Sequence, residues 1–131
     1  MDEQRDWQPV SLKDAPPPKG AYSRAVRAGN LLFVSGQVPR DPRTGQLLGD
    51  DVESQTRAVL SLLADVLAAG GARMDDVVSV TAYLQDIADW ERFNRVYAES
   101  FRPPYPTRTT LGADLHGVLV EVSAVAVLGG A

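Results

Sequence analysis

Glu121 and Arg108 are the two residues of this sequence whose types and positions could support chemistry on a small acid. Glu121 is the only charged residue between Val118 and the C-terminus, and an unpaired carboxylate in an apolar run is costly to bury. A carboxylate held in a pocket can orient or deprotonate a water molecule. The ordinary alternative is a glutamate at a strand edge that points to solvent.

Arg108 is the natural cation to place beside that carboxylate. It enters a predicted strand after Pro106-Thr107, and pairing of the last two predicted strands around His116-Gly117 would bring it near Glu121. A planar guanidinium can hold a carboxylate in two places. We therefore expect Arg108 and Glu121 to face one small cavity, although a surface arginine is the simpler interpretation without further context.

Several polar residues are weaker candidates because their positions have ordinary structural explanations. A tyrosine at a strand start is usually core, and Ser-Gly after a strand is usually a bend. A helical asparagine usually faces solvent or bonds to backbone, and threonine is common in strands. The residues concerned are Tyr22, Ser35, Gly36, Asn94 and Thr110.

Composition excludes several classes of function. The 131 residues include no cysteine and one histidine, His116, so thiolate catalysis and Cys- or His-rich metal sites within one chain are impossible. A net charge of −4 argues against a broad electrostatic grip on nucleic acid. The charged N-terminus is unlike a signal peptide, and no stretch approaches the roughly 20 apolar residues that span a bilayer, so we expect a cytoplasmic protein without membrane contact.

The hydrophobic pattern predicts an α+β domain with the order β-β-α-β-α-β-β. Turn residues at 28–30 indicate a first hairpin, and Asp50 or Asp51 and Gly70-Gly71 bound the first helix. Residues 1–19, with a run of three prolines, are expected to form an extension that leads into a single domain over residues 20–131. The predicted ranges are strands 22–27 and 31–37, helix 51–69, strand 77–84, helix 89–101, and strands 108–115 and 118–128.

The last predicted strand is apolar on both faces. Val120, Val122 and Ala124 share one face, and Val125 and Val127 lie on the other with Glu121. Two helices can cover only one side of a single sheet. We therefore expect a neighbouring subunit to cover the second side.

Taken in order, these segments resemble the reactive-intermediate deaminase (RidA/YjgF) family. The resemblance spans roughly residues 20–128 and departs from the family pattern at Ala21, Thr110, His116 and Ser123. The matching segments are Gly20-Ala21-Tyr22-Ser23-Arg24-Ala25-Val26, residues 29–39, Gln55-Thr56, Phe93-Asn94-Arg95-Val96-Tyr97, Tyr105-Pro106-Thr107-Arg108-Thr109-Thr110 and Leu119-Val120-Glu121-Val122.

The resemblance implies a chorismate-mutase-like α+β fold with two helices on one face of the sheet, assembled as a homotrimeric barrel with pockets between subunits. It implies hydrolysis of 2-aminoacrylate or a related enamine, through the 2-imino acid, to a 2-keto acid and ammonia, without metal or cofactor. Arg108 is similar to the arginine that binds the substrate carboxylate, and Glu121 to the carboxylate that activates water. Similar to pocket-lining positions are Tyr22, Ser35, Gly36, Asn94 and Thr110.

Two alternatives stay open at this point. One is a specialised deaminase for a larger unsaturated amino acid, which a pocket widened around Tyr22 and Asn94 would favour. The other is a regulatory trimer that uses Arg108 to hold a keto acid without turnover. Ribonuclease activity is disfavoured by the acidic composition and the absence of a His/Lys catalytic cluster.

Overall fold

The computed structural model describes residues 4–129. In that part of the chain, six strands form one sheet and two α-helices accompany it, with short 3-10 turns at Met74–Asp76 and Ile87–Asp89. The predicted order of elements is confirmed, with one strand added at its start. The elements are β1 Trp7–Val10, β2 Ala25–Ala28, β3 Leu31–Gln37, α1 Val52–Ala69, β4 Val77–Leu84, α2 Trp90–Ser100, β5 Thr107–Gly112 and β6 Val120–Val127.

The sheet has the strand order β1-β2-β3-β6-β4-β5. Strands β4 and β5 are parallel, because α2 carries the chain back between them, and the other neighbouring pairs are antiparallel. This mixed sheet is the α+β architecture that the sequence predicted. It leaves β5 as one edge strand of the sheet and β1 as the other.

The predicted pairing of the last two strands with each other is wrong, because β4 lies between β5 and β6. Residues 113–119 do not form a tight hairpin. They cross the end of β4, where the Ala113 amide donates to the Leu84 carbonyl and the Gln85 amide donates to the Leu119 carbonyl. The side chain of Gln85 also accepts from the Leu115 amide at 2.7 Å, which holds this crossing in place.

The extra strand β1 lies in the segment for which the sequence predicted no regular structure. Trp7 pairs with Ala28 and Val10 pairs with Ala25. Pro9 is accommodated because β1 is an edge strand, where a residue without an amide donor breaks no central ladder.

Both helices pack on the same face of the sheet, where the core lies. The start of α1 is capped as predicted, since the Asp51 carboxylate accepts from the Ser54 amide at 2.8 Å, and Gly70 ends the helix. Along β6 the burial alternates strictly, with Val120, Val122 and Ala124 in the core. Neither helix in residues 4–129 combines the length and apolar character needed to cross a lipid bilayer.

The opposite face of the sheet, called here the outer face, carries apolar side chains that the single chain leaves uncovered. Phe33 and Val78 are each 44% exposed. Val125 and Val127 of β6 are only partly buried and lie on the same side as Phe33, with which Val125 is paired. The single chain thus presents the two-sided apolar sheet that the sequence indicated.

Candidate functional site

Within one chain, Arg108 and Glu121 lie on opposite faces of the sheet. Arg108 is level with Val80 of β4, whose side chain is in the core, so Arg108 lies on the helix face. Glu121 is level with Tyr83, three residues farther along β4 and therefore on the other face. The expected shared cavity is not formed by a single chain, because β4 separates the two strands and successive side chains alternate between faces.

Three aromatic rings of α2 surround the Arg108 guanidinium. Its central carbon lies 4.5 Å from the ring centre of Tyr97, 5.2 Å from that of Trp90 and 5.5 Å from that of Phe93. These rings follow one another at helical spacings of three and four residues, so they project from one face of α2. Each ring presents its electron-rich face to the cation, which holds the guanidinium in place without neutralising it.

Arg108 makes no ion pair with any residue in the described range 4–129. It lines a cavity of about 340 Å³ together with Asn94, Tyr97, Ala98, Tyr105 and Pro106. Thr110, two residues along β5, lies on the same face and is half-buried. A half-buried guanidinium at a cavity, held by rings and free of carboxylates, can bind an anionic group from solution.

The Tyr97 hydroxyl is buried beside that guanidinium. It forms no hydrogen bond with another group in residues 4–129. Burial raises the pKa of Tyr97, and the positive charge of Arg108 opposes that rise. The hydroxyl therefore stays protonated at neutral pH and can act as a donor.

Glu121 and Gly36 form the second group, on the other side of β6. Val34 pairs with Ala124 and Gln37 with Val122, so β3 has two residues, Ser35 and Gly36, where β6 has one. This bulge brings the backbone of Gly36 against the Glu121 carboxylate, in the space that a β-carbon at residue 36 would occupy. Glycine at this position leaves that space to the carboxylate.

Burial raises the pKa of Glu121 above its ordinary value, because removal from water disfavours the charged form. No arginine or lysine in residues 4–129 forms an ion pair with it. A carboxylate with a raised pKa and no cation beside it has the character of a general base that can take up and return a proton.

Ser35 and Tyr22 lie near Gly36; Ser35 is half-buried and Tyr22 is exposed. The Ser35 hydroxyl donates to the Ser23 carbonyl at 2.6 Å, which joins β3 to the segment before β2. Tyr22 is 59% exposed and lines a cavity of about 420 Å³ together with Gly36. Gly36 contacts Glu121 directly, and Tyr22 and Ser35 are grouped with it because Tyr22 shares a cavity with Gly36 and Ser35 precedes Gly36 in the bulge.

The candidate residues thus divide into two half-sites. The arginine half-site contains Arg108, Thr110 and Asn94, and the glutamate half-site contains Glu121, Gly36, Ser35 and Tyr22. The sequence analysis did not connect Trp90, Phe93 and Tyr97 with Arg108. Their helical spacing was visible in the sequence, but the position of β5 beside them was not.

In residues 4–129, no group of three or more histidine, aspartate and glutamate side chains is placed to hold a metal ion. The residues of the two half-sites supply a guanidinium that can bind an anion and a carboxylate that can transfer a proton.

Comparison with known proteins gives a consistent set of similarities. A family model described as Endoribonuclease L-PSP matches residues 12–128. A RutC family protein of Pyrococcus horikoshii is 42% identical over 119 residues, which cover 89% of this chain and 94% of that protein. Reactive Intermediate Deaminase A, chloroplastic, of Arabidopsis thaliana is 38% identical over 121 residues, covering 91% of this chain and 65% of that protein. A 2-iminobutanoate/2-iminopropanoate deaminase of Dermatophagoides farinae is 33% identical over 121 residues, covering 91% and 94%.

Solved structures show the same similarity in three dimensions. A Thermotoga maritima protein superposes with a TM-score of 0.86 at 38% identity, covering 94% of this chain and 98% of that one. E. coli TdcF with bound serine superposes with a TM-score of 0.82 at 30% identity, covering 93% and 99%. Because the family model spans nearly the whole chain and the folds coincide, this protein belongs to the endoribonuclease L-PSP family, which includes the RidA-type reactive-intermediate deaminases.

Proposed function

We propose that this protein hydrolyses small 2-imino acids, formed from enamines such as 2-aminoacrylate, to 2-keto acids and ammonia. The observation that carries this proposal is the complementary pair of half-sites. An unpaired guanidinium lines one cavity, and a carboxylate with a raised pKa lies against the backbone of Gly36. The first can anchor a substrate carboxylate, and the second can move a proton.

The two half-sites complete each other only if they come from neighbouring subunits. Arg108 lies on β5, an edge strand that another chain can approach. Glu121 lies on the apolar outer face, which needs a cover. We therefore propose a homotrimer in which the arginine half-site of one subunit meets the glutamate half-site of the next, closing the ring head to tail.

The reaction then needs little beyond positioning and proton transfer. The guanidinium fork of Arg108 holds the substrate carboxylate, so that the imine carbon C2 is presented to a water molecule. Glu121 takes one proton from that water as the water oxygen bonds to C2, and then gives this proton to the imine nitrogen, which becomes an amine. Glu121 next takes the proton of the new hydroxyl group and passes it to the amine as the C2–O bond becomes a carbonyl and the C2–N bond breaks, so that ammonia and the 2-keto acid leave.

Names of relatives support this choice of substrate. The Dermatophagoides farinae relative is named for 2-iminobutanoate and 2-iminopropanoate. The E. coli TdcF structure contains bound serine, which carries a carboxylate beside an amine. Both are consistent with a small carboxylate ligand for the arginine half-site.

Mixing two inactive variants tests the activity and the shared site together. The substrate 2-iminopropionate is generated enzymatically, and ammonia and pyruvate release are measured above the spontaneous rate. Arg108→Ala and Glu121→Gln should each be inactive alone. Co-refolded in equal amounts, they should regain about a quarter of wild-type activity, since one site in four then combines an intact arginine with an intact glutamate.

Two outcomes would contradict the proposal in different ways. If wild-type protein releases ammonia and pyruvate no faster than the spontaneous reaction but still binds pyruvate, it would be a regulatory keto-acid-binding protein. Active wild-type protein whose mixed variants regain nothing would exclude a site shared between subunits. The double variant Arg108→Ala/Glu121→Gln, mixed with wild type, controls for refolding yield.

A further inference from the structure

A second cationic cavity adjoins the glutamate half-site. It has a volume of about 420 Å³ and shares Tyr22 and Gly36 with that half-site. Its remaining wall includes the proline segment 16–18, and Lys19, Arg24 and Arg40 supply positive charge. We call it the basic cavity. The proposed deamination mechanism uses neither Arg24 nor Arg40.

Both guanidiniums of the basic cavity are held in place by uncharged groups. Arg24 donates to the Pro16 carbonyl at 2.7 Å, and Arg40 donates to the Gly45 carbonyl at 3.2 Å. Both residues are half-buried, and neither forms an ion pair with a described residue. Each bond engages a single N–H group, so most of each fork of donors remains available to an anion.

Among the described residues, one carboxylate lines the basic cavity, and it is already engaged. Asp41 accepts from the Arg43 amide at 2.8 Å and lies 3.6 Å from the Arg43 guanidinium. The Arg43 amide, followed by its guanidinium charge, lowers the pKa of Asp41. Asp41 is thus paired with Arg43, and the cavity remains locally cationic on a chain whose net charge is −4.

The loop that carries Arg40 is well ordered by backbone hydrogen bonds. The Leu48 amide donates to the Pro39 carbonyl, and the Asp41 amide donates to the Gln46 carbonyl, both at 2.9 Å or less. Arg40 itself forms an isolated bridge with Leu47. A cation on a fixed loop loses little conformational entropy when an anion binds, which favours a specific site over a loose surface charge.

From this arrangement we infer that the basic cavity binds a second acid group of the substrate, so that the preferred substrates are imino dicarboxylates. The inference rests on the proposed function, because Gly36, which lines the basic cavity, is also the residue that the Glu121 carboxylate lies against. Arg108 then anchors the carboxylate next to C2, Glu121 works at C2, and Arg24 and Arg40 hold the distal carboxylate. This assignment fits a deaminase for a larger unsaturated amino acid.

Two keto acids of equal chain length test the basic cavity without relying on turnover. 2-Oxoglutarate and 2-oxopentanoate differ only in a terminal carboxylate instead of a methyl group, and calorimetry gives the Kd of each. Wild-type protein should bind 2-oxoglutarate about tenfold or more tightly than 2-oxopentanoate. Arg40→Gln should reduce that ratio to about twofold or less, and Arg40→Lys should restore part of it.

Arg57→Gln is the matched control, because it removes the same charge from an exposed arginine paired with Glu99 on the helices. It should leave the ratio unchanged. Arg24→Gln repeats the test if Arg40→Gln does not fold. A wild-type ratio near one, or a ratio that survives both substitutions, would overturn the basic cavity as a carboxylate site.

Turnover separates this inference from the proposed function. Deamination of 2-iminopropionate without any 2-oxoglutarate preference would support the proposed function and overturn the dicarboxylate site. Preferential binding of 2-oxoglutarate that is lost in Arg40→Gln, without acceleration of 2-iminopropionate or 2-iminoglutarate hydrolysis, would support the dicarboxylate site and overturn the proposed deaminase activity.

Discussion

The Glu121 carboxylate occupies the space that a β-carbon on Gly36 would fill. A β-carbon built on Gly36 overlaps the carboxylate oxygen Oε2 and lies 2.9 Å from Cδ. Glycine at this position therefore reflects the neighbouring side chain, since Gly36 is not among the residues with positive φ. Its role is to let a bulged backbone and a carboxylate share one small volume.

Gly36→Ala should impair catalysis more than folding. The added methyl group meets the flexible end of Glu121, so the carboxylate moves and the backbone stays in place. We expect kcat/KM for 2-iminopropionate to fall roughly 10- to 100-fold, the range over which a displaced general base loses its contribution. The free energy of unfolding should change by less than about 1.5 kcal/mol.

Gly112→Ala provides the matched control for that substitution. A β-carbon there meets Ile87 at 3.5 Å, an ordinary contact. It should leave kcat/KM within about twofold of wild type, a change worth roughly 0.4 kcal/mol. Equal losses in the two variants would contradict a specific role for the Gly36–Glu121 contact.

Replacing Arg108 with lysine should weaken substrate binding although the charge is kept. Lysine lacks the planar fork that binds a carboxylate in two places and stacks on aromatic rings. We expect KM for 2-iminopropionate to rise about tenfold or more, with a smaller change in kcat. Arg57→Lys, at an exposed ion pair, should change neither constant. An unchanged KM in Arg108→Lys would remove Arg108 from the substrate site.

Two substitutions at Tyr97 separate its ring from its hydroxyl. Tyr97→Phe keeps the ring beside Arg108 and removes a buried hydroxyl without a partner in the described chain. It should leave the free energy of unfolding unchanged or raise it by up to about 1 kcal/mol, measured by urea denaturation. Tyr97→Leu removes the ring and should raise KM. Clear destabilisation by Tyr97→Phe would show that the hydroxyl is bonded in the assembled protein.

The pH dependence of catalysis should report Glu121. The residue must be ionised to accept a proton, and burial raises its pKa. The value of kcat/KM should therefore increase with pH through a transition that lies above the ordinary pKa of glutamate. Initial rates over a range of pH, corrected for spontaneous hydrolysis, give this midpoint. A midpoint at the ordinary value would show that Glu121 is fully solvated in the assembled enzyme.

Regular elements were predictable from this sequence because each carries its own local pattern. The spacing of Val59, Leu63 and Val66 predicts α1, and a continuous run rich in valine predicts β6. Strand β1 was missed because Trp7–Val10 contains only four residues, one of them proline, and its stability comes from pairing with β2. Short strands of this kind have no local signal.

The pairing of strands that are distant in sequence is harder to predict, and the position of the site depends on that pairing. Strands adjacent in sequence usually pair, which favoured a final hairpin, whereas β4 lies between β5 and β6. The residue types of Arg108 and Glu121 indicated their chemistry. Their placement on opposite faces follows only from the register with Val80 and Tyr83.

Glu121→Gln should stabilise the protein at neutral pH, with an effect that disappears in acid. Because the pKa of Glu121 is raised in the folded state, the folded chain binds a proton more tightly than the unfolded one. The resulting stability is present below the unfolded pKa and is lost as pH rises through the folded pKa. At pH 7 the wild type thus carries a half-buried charge that glutamine lacks.

Glu53→Gln is the control and should behave oppositely. The hydrogen bond from Arg92 lowers the pKa of Glu53. Removal of the Glu53 charge should therefore destabilise the protein at neutral pH and matter less in acid. Urea denaturation at pH 7 and pH 4 would measure both variants, and destabilisation by Glu121→Gln at pH 7 would mean that a cation of the assembled protein pairs with Glu121.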